Sequence, residues 1–304
     1  MKKFKKIIST LLASCIVASC AATGSLAASA APVDSDHPEL AQDTVQGGAI
    51  LHCFDWSYNA IKANLADIKA AGYTAVQTSP VQPPKDYSAS YTESSSNWWK
   101  LYQPLDLCVA ESGSWLGTKG ELTEMCAEAE TYGIKVIVDI VSNHLANNGS
   151  VGTGKFTNYL HADVNSELKK DEYFFGNVGG VSSDSRYQMT HGHLGMPELN
   201  TANAVIQQRV LAFLKECVDC GVDGFRFDTA KHIELPTDDE QTRSDFWPTV
   251  INGINAYQEG LYIYGEILSD AYSKDINRQY TQYMDLTDDV TGYYDGRRAI
   301  FLHL

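Results

Sequence analysis

Stretches of near-continuous apolar residues alternate along this chain with amphipathic ones, and that alternation constrains the fold more than any other feature. AILHCFDW (49–56), YTAVQTSP (73–80), IKVIVDIVSNH (134–144), VDGFRFD (222–228) and LYIYGEIL (261–268) read as strands. Between them, IKANLADIKAAG (61–72, closing on Gly72), KGELTEMCAEAETYG (119–133) and VIQQRVLAFLKECVDCG (205–221) read as helices. Strands this apolar, alternating with helices, imply parallel βαβ units with the sheet buried on both faces. Two architectures fit such a series, a (β/α)8 barrel and a doubly wound sheet.

The N-terminus reads as a targeting segment. Lys2, Lys3, Lys5 and Lys6 precede the apolar run IISTLLASCIVA, and Ala28-Ser29-Ala30 offers a small-residue cleavage site, so residues 1–30 are expected to be a secretory signal. The alternative is a lipid anchor through Cys20, at the end of VASC. Removing those residues takes away four lysines and no acids, which moves the formal net charge from −15 to −19. So acidic a chain is unsuited to nucleic acid or to an anionic membrane surface. The cysteines left are Cys53, Cys108, Cys126, Cys217 and Cys220, an odd number and no disulfide framework. Cys217 and Cys220 form a CxxC without a second half to complete a zinc site, and their helical context makes them core-facing thiols.

Two irregular stretches, 79–115 and 145–200, follow strand ends, and long loops in compact domains are usually functional. The carboxyl ends of parallel strands are where α/β folds place their sites. Asp139, Asn143 and His144 leave one strand, Arg226 and Asp228 the next, and Glu266 the one after. Arg226 and Asp228 are two residues apart and so share a face of their strand. Two carboxylates at one mouth, Asp228 and Glu266, are the minimum equipment for hydrolysing a glycosidic bond. An arginine beside Asp228 is expected to lower its pKa and keep it ionised as a nucleophile. Asp139 either braces the loop that carries Asn143 or acts directly. Trp98 and Trp99, beside Ser94–Ser96 and Asn97, are either core residues or flat platforms for sugar rings. Lys231 and His232 are either site residues or a solvated helix start.

DIVSNH (139–144), GFRFDTAKH (224–232) and GEIL (265–268) resemble three signature segments of the α-amylase superfamily of glycoside hydrolases. The likeness runs from about 47 to about 290, includes LYQPLDL, and is nearest to secreted bacterial α-amylases whose second segment continues KHIELP. It implies a (β/α)8 TIM-type barrel with an irregular insert after strand 3, here with about six of the eight strands. The parts are then a leader (1–30), a first part of the barrel (47–144), the insert (145–200), the barrel continued (201–292) and an atypical tail (293–304). The implied reaction is retaining endo-hydrolysis of α-1,4-glucosidic bonds in starch and maltooligosaccharides by a secreted monomer. Asp228 is the implied nucleophile, Glu266 the acid and base, and Arg226 the guard of Asp228. His144 and Tyr102 would meet the sugar at the cleavage point, with Gln103, Lys231, His232, Trp98 and Trp99 lining further positions.

The resemblance also implies Ca2+, held by Asn143 and the backbone carbonyl of His232. Where relatives carry an aspartate in a segment like SRYDVT, this chain has Gln188 within SRYQMT, with Asp184 nearby. The family's fourth signature, a His-Asp pair leaving a seventh strand, has no counterpart after YMDLTDD, which reads as a sixth strand. The expectation is therefore a barrel with the first and sixth strands as open edges, from a shortened or shifted reading frame. Without that signature, a non-catalytic glucan-binding remnant is the alternative to an active enzyme.

Overall fold

A computed structural model describes residues 45, 47–86, 97–267, 274–287 and 301–302. The expected leader, residues 87–96 and all of the tail but 301–302 lie outside the described residues. Six parallel strands follow one another in chain order: β1 (Ile50–Cys53), β2 (Ala75–Pro80), β3 (Lys135–Ile140), β4 (Gly224–Phe227), β5 (Tyr262–Gly265) and β6 (Asp285–Leu286). The helices between them are α1 (Tyr58–Ala70), α2 (Lys119–Thr131), α3 (Arg186–His191), α4 (Ala204–Asp219), α5 (Phe246–Tyr257) and α6 (Lys274–Tyr280). Parallel strands in unbroken sequential order are the open form of a (β/α)8 barrel, not the reversed order of a doubly wound sheet.

One expectation is corrected. β1 is not an open edge, because Phe301–Leu302 (β7) pairs parallel with it, Ile50 opposite Phe301 and Leu51 opposite Leu302. Two paired residues are too few to show a period, so no pattern in the chain announces this strand.

The helix starts are written locally. Ser57 caps α1 by accepting from the Ala60 amide, and Thr118 and Glu121 close a reciprocal capping box on α2. Helix α5 escaped sequence reading because Pro248 and Gly253 interrupt its pattern. Pro248 lies in the first turn, where a missing N–H is harmless. Gly253 lets α5 approach α4: a Cβ there would lie 2.6 Å from Leu211 Cδ2.

Alternation along each strand separates two cores. Leu51, Val136, Val138, Ile140, Phe225, Phe227 and Ile263 face the helices, whereas Ile50, Ala75, Ile137, Tyr262 and Tyr264 pack together on the opposite face. The parity has one consequence for chemistry. Asp139 lies between Val138 and Ile140, and Arg226 between Phe225 and Phe227, so both polar side chains point to the inner face. Under β4, Trp247 meets Phe227, Phe246 and Tyr280 edge to face at 5.2, 5.0 and 6.0 Å. Each such pair adds about 0.5–1.5 kcal/mol to its buried area and steadies the strand that carries Arg226. Cys217 and Cys220 are buried, as expected, and all five described cysteines are free thiols.

Between β3 and α4 the chain forms no strand, only short turns, isolated bridges and α3. It is tied down by Arg186, whose guanidinium donates to both Asp238 oxygens, to the carbonyls of Lys231 and Ile233, and to the Tyr280 hydroxyl. Among the described residues no helix is long and apolar enough to cross a membrane.

Candidate active site

Strand register assembles the site in two layers. Asp139 on β3 pairs with Arg226 on β4, and Arg226 with Tyr264 on β5. Two residues on from Arg226 and Tyr264, Asp228 and Glu266 form the next inward layer, as the period of a strand requires. Both remain tied to the sheet, the Asp228 amide donating to the Ile140 carbonyl and the Glu266 amide to that of Phe227, each at 2.9 Å.

Arg226 is the hub. Its Nη1 donates to both Asp139 oxygens at 2.8 Å and to Asp228 Oδ1 at 2.9 Å, and its Nη2 lies 3.0 Å from Glu266 Oε2. The Tyr102 hydroxyl donates to Asp139 Oδ2 at 2.9 Å. Asp139 is therefore a full member of the cluster and wholly buried. The bracing role left open for it falls on Arg226 and Tyr102 more than on the Asn143 loop. After Asp228 the chain turns sharply through Thr229, a non-glycine residue at φ 49°, and its amide donates to Glu266 Oε2 at 3.1 Å. That turn locks the two catalytic candidates to each other.

The electrostatics differ from expectation. Burial pushes the Asp228 carboxyl up to about 7; Arg226 pulls it down, and Asp139 and Glu266 push it further up. The lowered pKa expected from Arg226 alone is corrected, because one guanidinium is shared among three carboxylates in a buried site. Asp139 is likewise raised, by burial first. Burial opposes the charge on Arg226, but the surrounding carboxylates outweigh it and raise that pKa well above normal.

The remaining expected site residues divide into two groups. His144 is buried and neutral, its pKa pushed down to about 4 by burial; its Nε2 donates to the Tyr102 carbonyl at 2.9 Å, and its Nδ1 has no hydrogen-bond partner among the described residues. Trp98 contacts the Tyr102 ring edge-on at 5.9 Å, and Trp98 and Trp99 are both exposed. Gln103 accepts from Lys85 Nζ at 3.2 Å, and that ammonium lies 5.6 Å from the Trp99 ring centre. These lie on or next to the carboxylate network. Lys231 and His232 belong to a 3-10 turn after β4, where both are buried. The His232 ring donates through Nδ1 to the Met189 carbonyl at 2.8 Å, tying α3 to the barrel.

The sequence match decides the family. The description "Alpha amylase, catalytic domain" matches residues 61–291, which include every member of this carboxylate cluster. This chain belongs to the α-amylase family of glycoside hydrolases. An α-amylase of Clostridium acetobutylicum is 37% identical over 265 residues, covering 86% of this chain and 32% of that protein. One of Butyrivibrio fibrisolvens is 36% identical over 270 residues, covering 83% and 26%. The chain thus spans a third or less of these relatives' length. Among solved structures, the Geobacillus thermoleovorans α-amylase complexed with acarbose superposes at TM-score 0.61 with 19% identity, over 81% of this chain and 52% of that one. A mutant of Eisenia fetida α-amylase I with maltohexaose gives TM-score 0.62 at 20% identity, over 79% and 49%. These two likenesses carry the α-amylase fold.

This α-amylase-family chain also holds a buried acid that sequence reading did not single out. Glu198 is fully buried, and among the described residues neither carboxylate oxygen has a partner with hydrogen-bond geometry. Burial drives its pKa well above the usual range, while the neighbouring Asn143 amide draws it back. Backbone pairing fixes that neighbourhood: Leu199 donates to the Asn143 carbonyl at 2.9 Å and Leu145 to that of Pro197 at 3.1 Å. A lone acid in an irregular insert has no period to betray it. A buried acid whose carboxylate oxygens lack partners among the described residues, beside a buried amide, suits a hard cation with oxygen ligands. Gln188 is engaged elsewhere, its amide nitrogen donating to the carbonyls of Val178 and Gly180, and Asp184 is exposed. Among the described residues no three His, Cys, Asp or Glu side chains are grouped to hold a metal.

Proposed function

We propose that this chain carries the catalytic machinery of a secreted α-amylase, cleaving α-1,4-glucosidic bonds within starch-like glucans with retention of anomeric configuration. The observation that supports this reading most is that Arg226 holds Asp139, Asp228 and Glu266 on one guanidinium. Asp228 and Glu266 sit on its two neighbouring amino nitrogens, which favours the close pairing of a retaining enzyme, about 5–5.5 Å, over the wider gap that admits a water between them. Asp228 attacks the anomeric carbon and forms the glycosyl-enzyme bond as the glycosidic oxygen leaves. Glu266 gives that oxygen its proton, then takes one from the water that releases the sugar. His144 and Tyr102 line the cleavage point, and the Tyr102 ring packs on the sugar face. Lys231 and Gln103 line the flanking positions.

Calcium belongs to the same proposal. Asn143, Glu198 and the His232 carbonyl would hold it, and the ion would supply charge compensation that fastens the insert to the barrel. Secretion follows from the basic and apolar leader, and the net charge of −15 suits a neutral polymer in place of an anionic one.

The test is reducing-end release from soluble starch by the full chain, with the first-formed anomer identified by proton NMR. The α-anomer, lost in Asp228→Asn and in Glu266→Gln, is the expected result. A β-anomer, or turnover that survives Asp228→Asn, would overturn the assignment.

A further inference from the structure

We propose that Phe54 is a distal glucan-stacking residue that extends the cleft past Trp98; this rests on the glucan reading above. A row of rings leads from the carboxylates toward solvent. Tyr102, whose hydroxyl donates to Asp139, meets Trp98 at 5.9 Å, and Trp98 meets Phe54 at 5.6 Å. The planes of Phe54 and Trp98 are tilted by 55°, so neither ring covers the face of the other. Phe54 is 38% exposed and Trp98 42%, although large aromatic rings are strongly driven out of water.

Phe54 is held in that position. It directly follows β1, at the carboxyl end where the catalytic residues leave the other strands. The next residue, Asp55, has φ 62°, a left-handed conformation that a non-glycine residue adopts only at a cost in energy. The Asp55 amide donates to Ser79 Oγ at 2.9 Å, and its carboxylate accepts from the Trp115 indole. Two anchors on a buried, strained residue fix the direction in which Phe54 leaves the sheet, and strain retained beside a site marks a functional constraint. The feature that continues from the cleavage point along this row is a neutral polymer of rings with apolar faces, so the occupant is a glucan chain long enough to pass Trp98.

Sequence reading did not single out Phe54. Inside AILHCFDW it looks like one more buried strand residue, and only its place beyond Cys53 exposes it.

The experiment measures binding without turnover, by titration calorimetry of the full chain carrying Glu266→Gln, with maltotriose and maltoheptaose. Phe54→Ala added to it is expected to weaken maltoheptaose about tenfold while leaving maltotriose within about twofold, and Phe54→Trp to restore the longer sugar. An unchanged melting temperature shows that the alanine variant is folded. If Phe54→Ala binds both sugars like its parent while Trp98→Ala does not, the assignment of Phe54 fails and the glucan reading stands. Equal weakening of both sugars also overturns it, since Phe54 would then act on the shape of the central site. If the Glu266→Gln parent binds neither sugar, the glucan reading falls and this inference with it.

Discussion

Asp139 and Arg226 face each other across β3 and β4, and a single guanidinium nitrogen reaches both carboxylate oxygens at 2.8 Å. The pair is a foundation for the site, because the same nitrogen also holds Asp228. Removing one member of a buried ion pair costs about 3–5 kcal/mol when the other charge is left alone, and less here because Arg226 keeps Asp228 and Glu266. Asp139→Ala is expected to lose about 2–3 kcal/mol in urea unfolding, while Tyr102→Phe, which removes one hydrogen bond from the cluster, loses about 1 kcal/mol.

The pH dependence of turnover follows from the shared guanidinium. A nucleophilic Asp228 must be ionised, so kcat/KM is expected to rise with pH on an acid limb near 7. Asp139→Asn takes away a negative neighbour that raises Asp228, and the limb moves to lower pH. A limb unmoved in Asp139→Asn would show that the two carboxylates are not coupled.

The same shift reaches stability. The folded pKa of Asp228 lies above its ordinary value of 3.8. Folding therefore favours the protonated form, and the stabilisation this gives is complete below about 4 and is lost as pH rises through about 7. The melting temperature of Asp228→Asn should accordingly vary less across that window than that of the parent.

Arg186 is the clamp between α3 and the turn after β4. Asp238, its bidentate partner, has a side chain that is only 1% exposed. Arg186→Lys keeps the charge but cannot reproduce the fork that reaches Asp238, two carbonyls and Tyr280 at once. Arg186→Ala is expected to cost about 3–5 kcal/mol and Arg186→Lys about half as much, with limited proteolysis cutting first within 145–200. Equal protease resistance of parent and alanine variant would refute the clamp.

Glu198 gives calcium a direct readout. At calcium concentrations a hundredfold above the dissociation constant, binding should add about 2.7 kcal/mol to the unfolding free energy. In Glu198→Gln that increment should vanish, while stability in chelator stays within about 1 kcal/mol of the parent. The amide is the neutral isostere of a carboxyl whose protonated form burial favours. A full calcium increment in Glu198→Gln would remove this residue from the site.

The legible parts of this protein were those with a local signature. Alternation of apolar strands with amphipathic helices announced the parallel sheet, and FRFD with its two-residue spacing placed Arg226 and Asp228 on one face. Neither depends on distant residues: a strand repeats every two residues and a helix face every three or four. What the tertiary structure alone decided is who shares Arg226. Asp139 precedes it by 87 positions and Glu266 follows it by 40, and only the register of three adjacent strands brings both carboxylates to one guanidinium. That gathering reversed the expected effect on Asp228, since burial and like charge are properties of the assembled site. Glu198 and Phe54 were hidden for the same reason. One is buried by an irregular insert and the other exposed by a strained turn, and burial outside regular elements follows no period that a sequence can display.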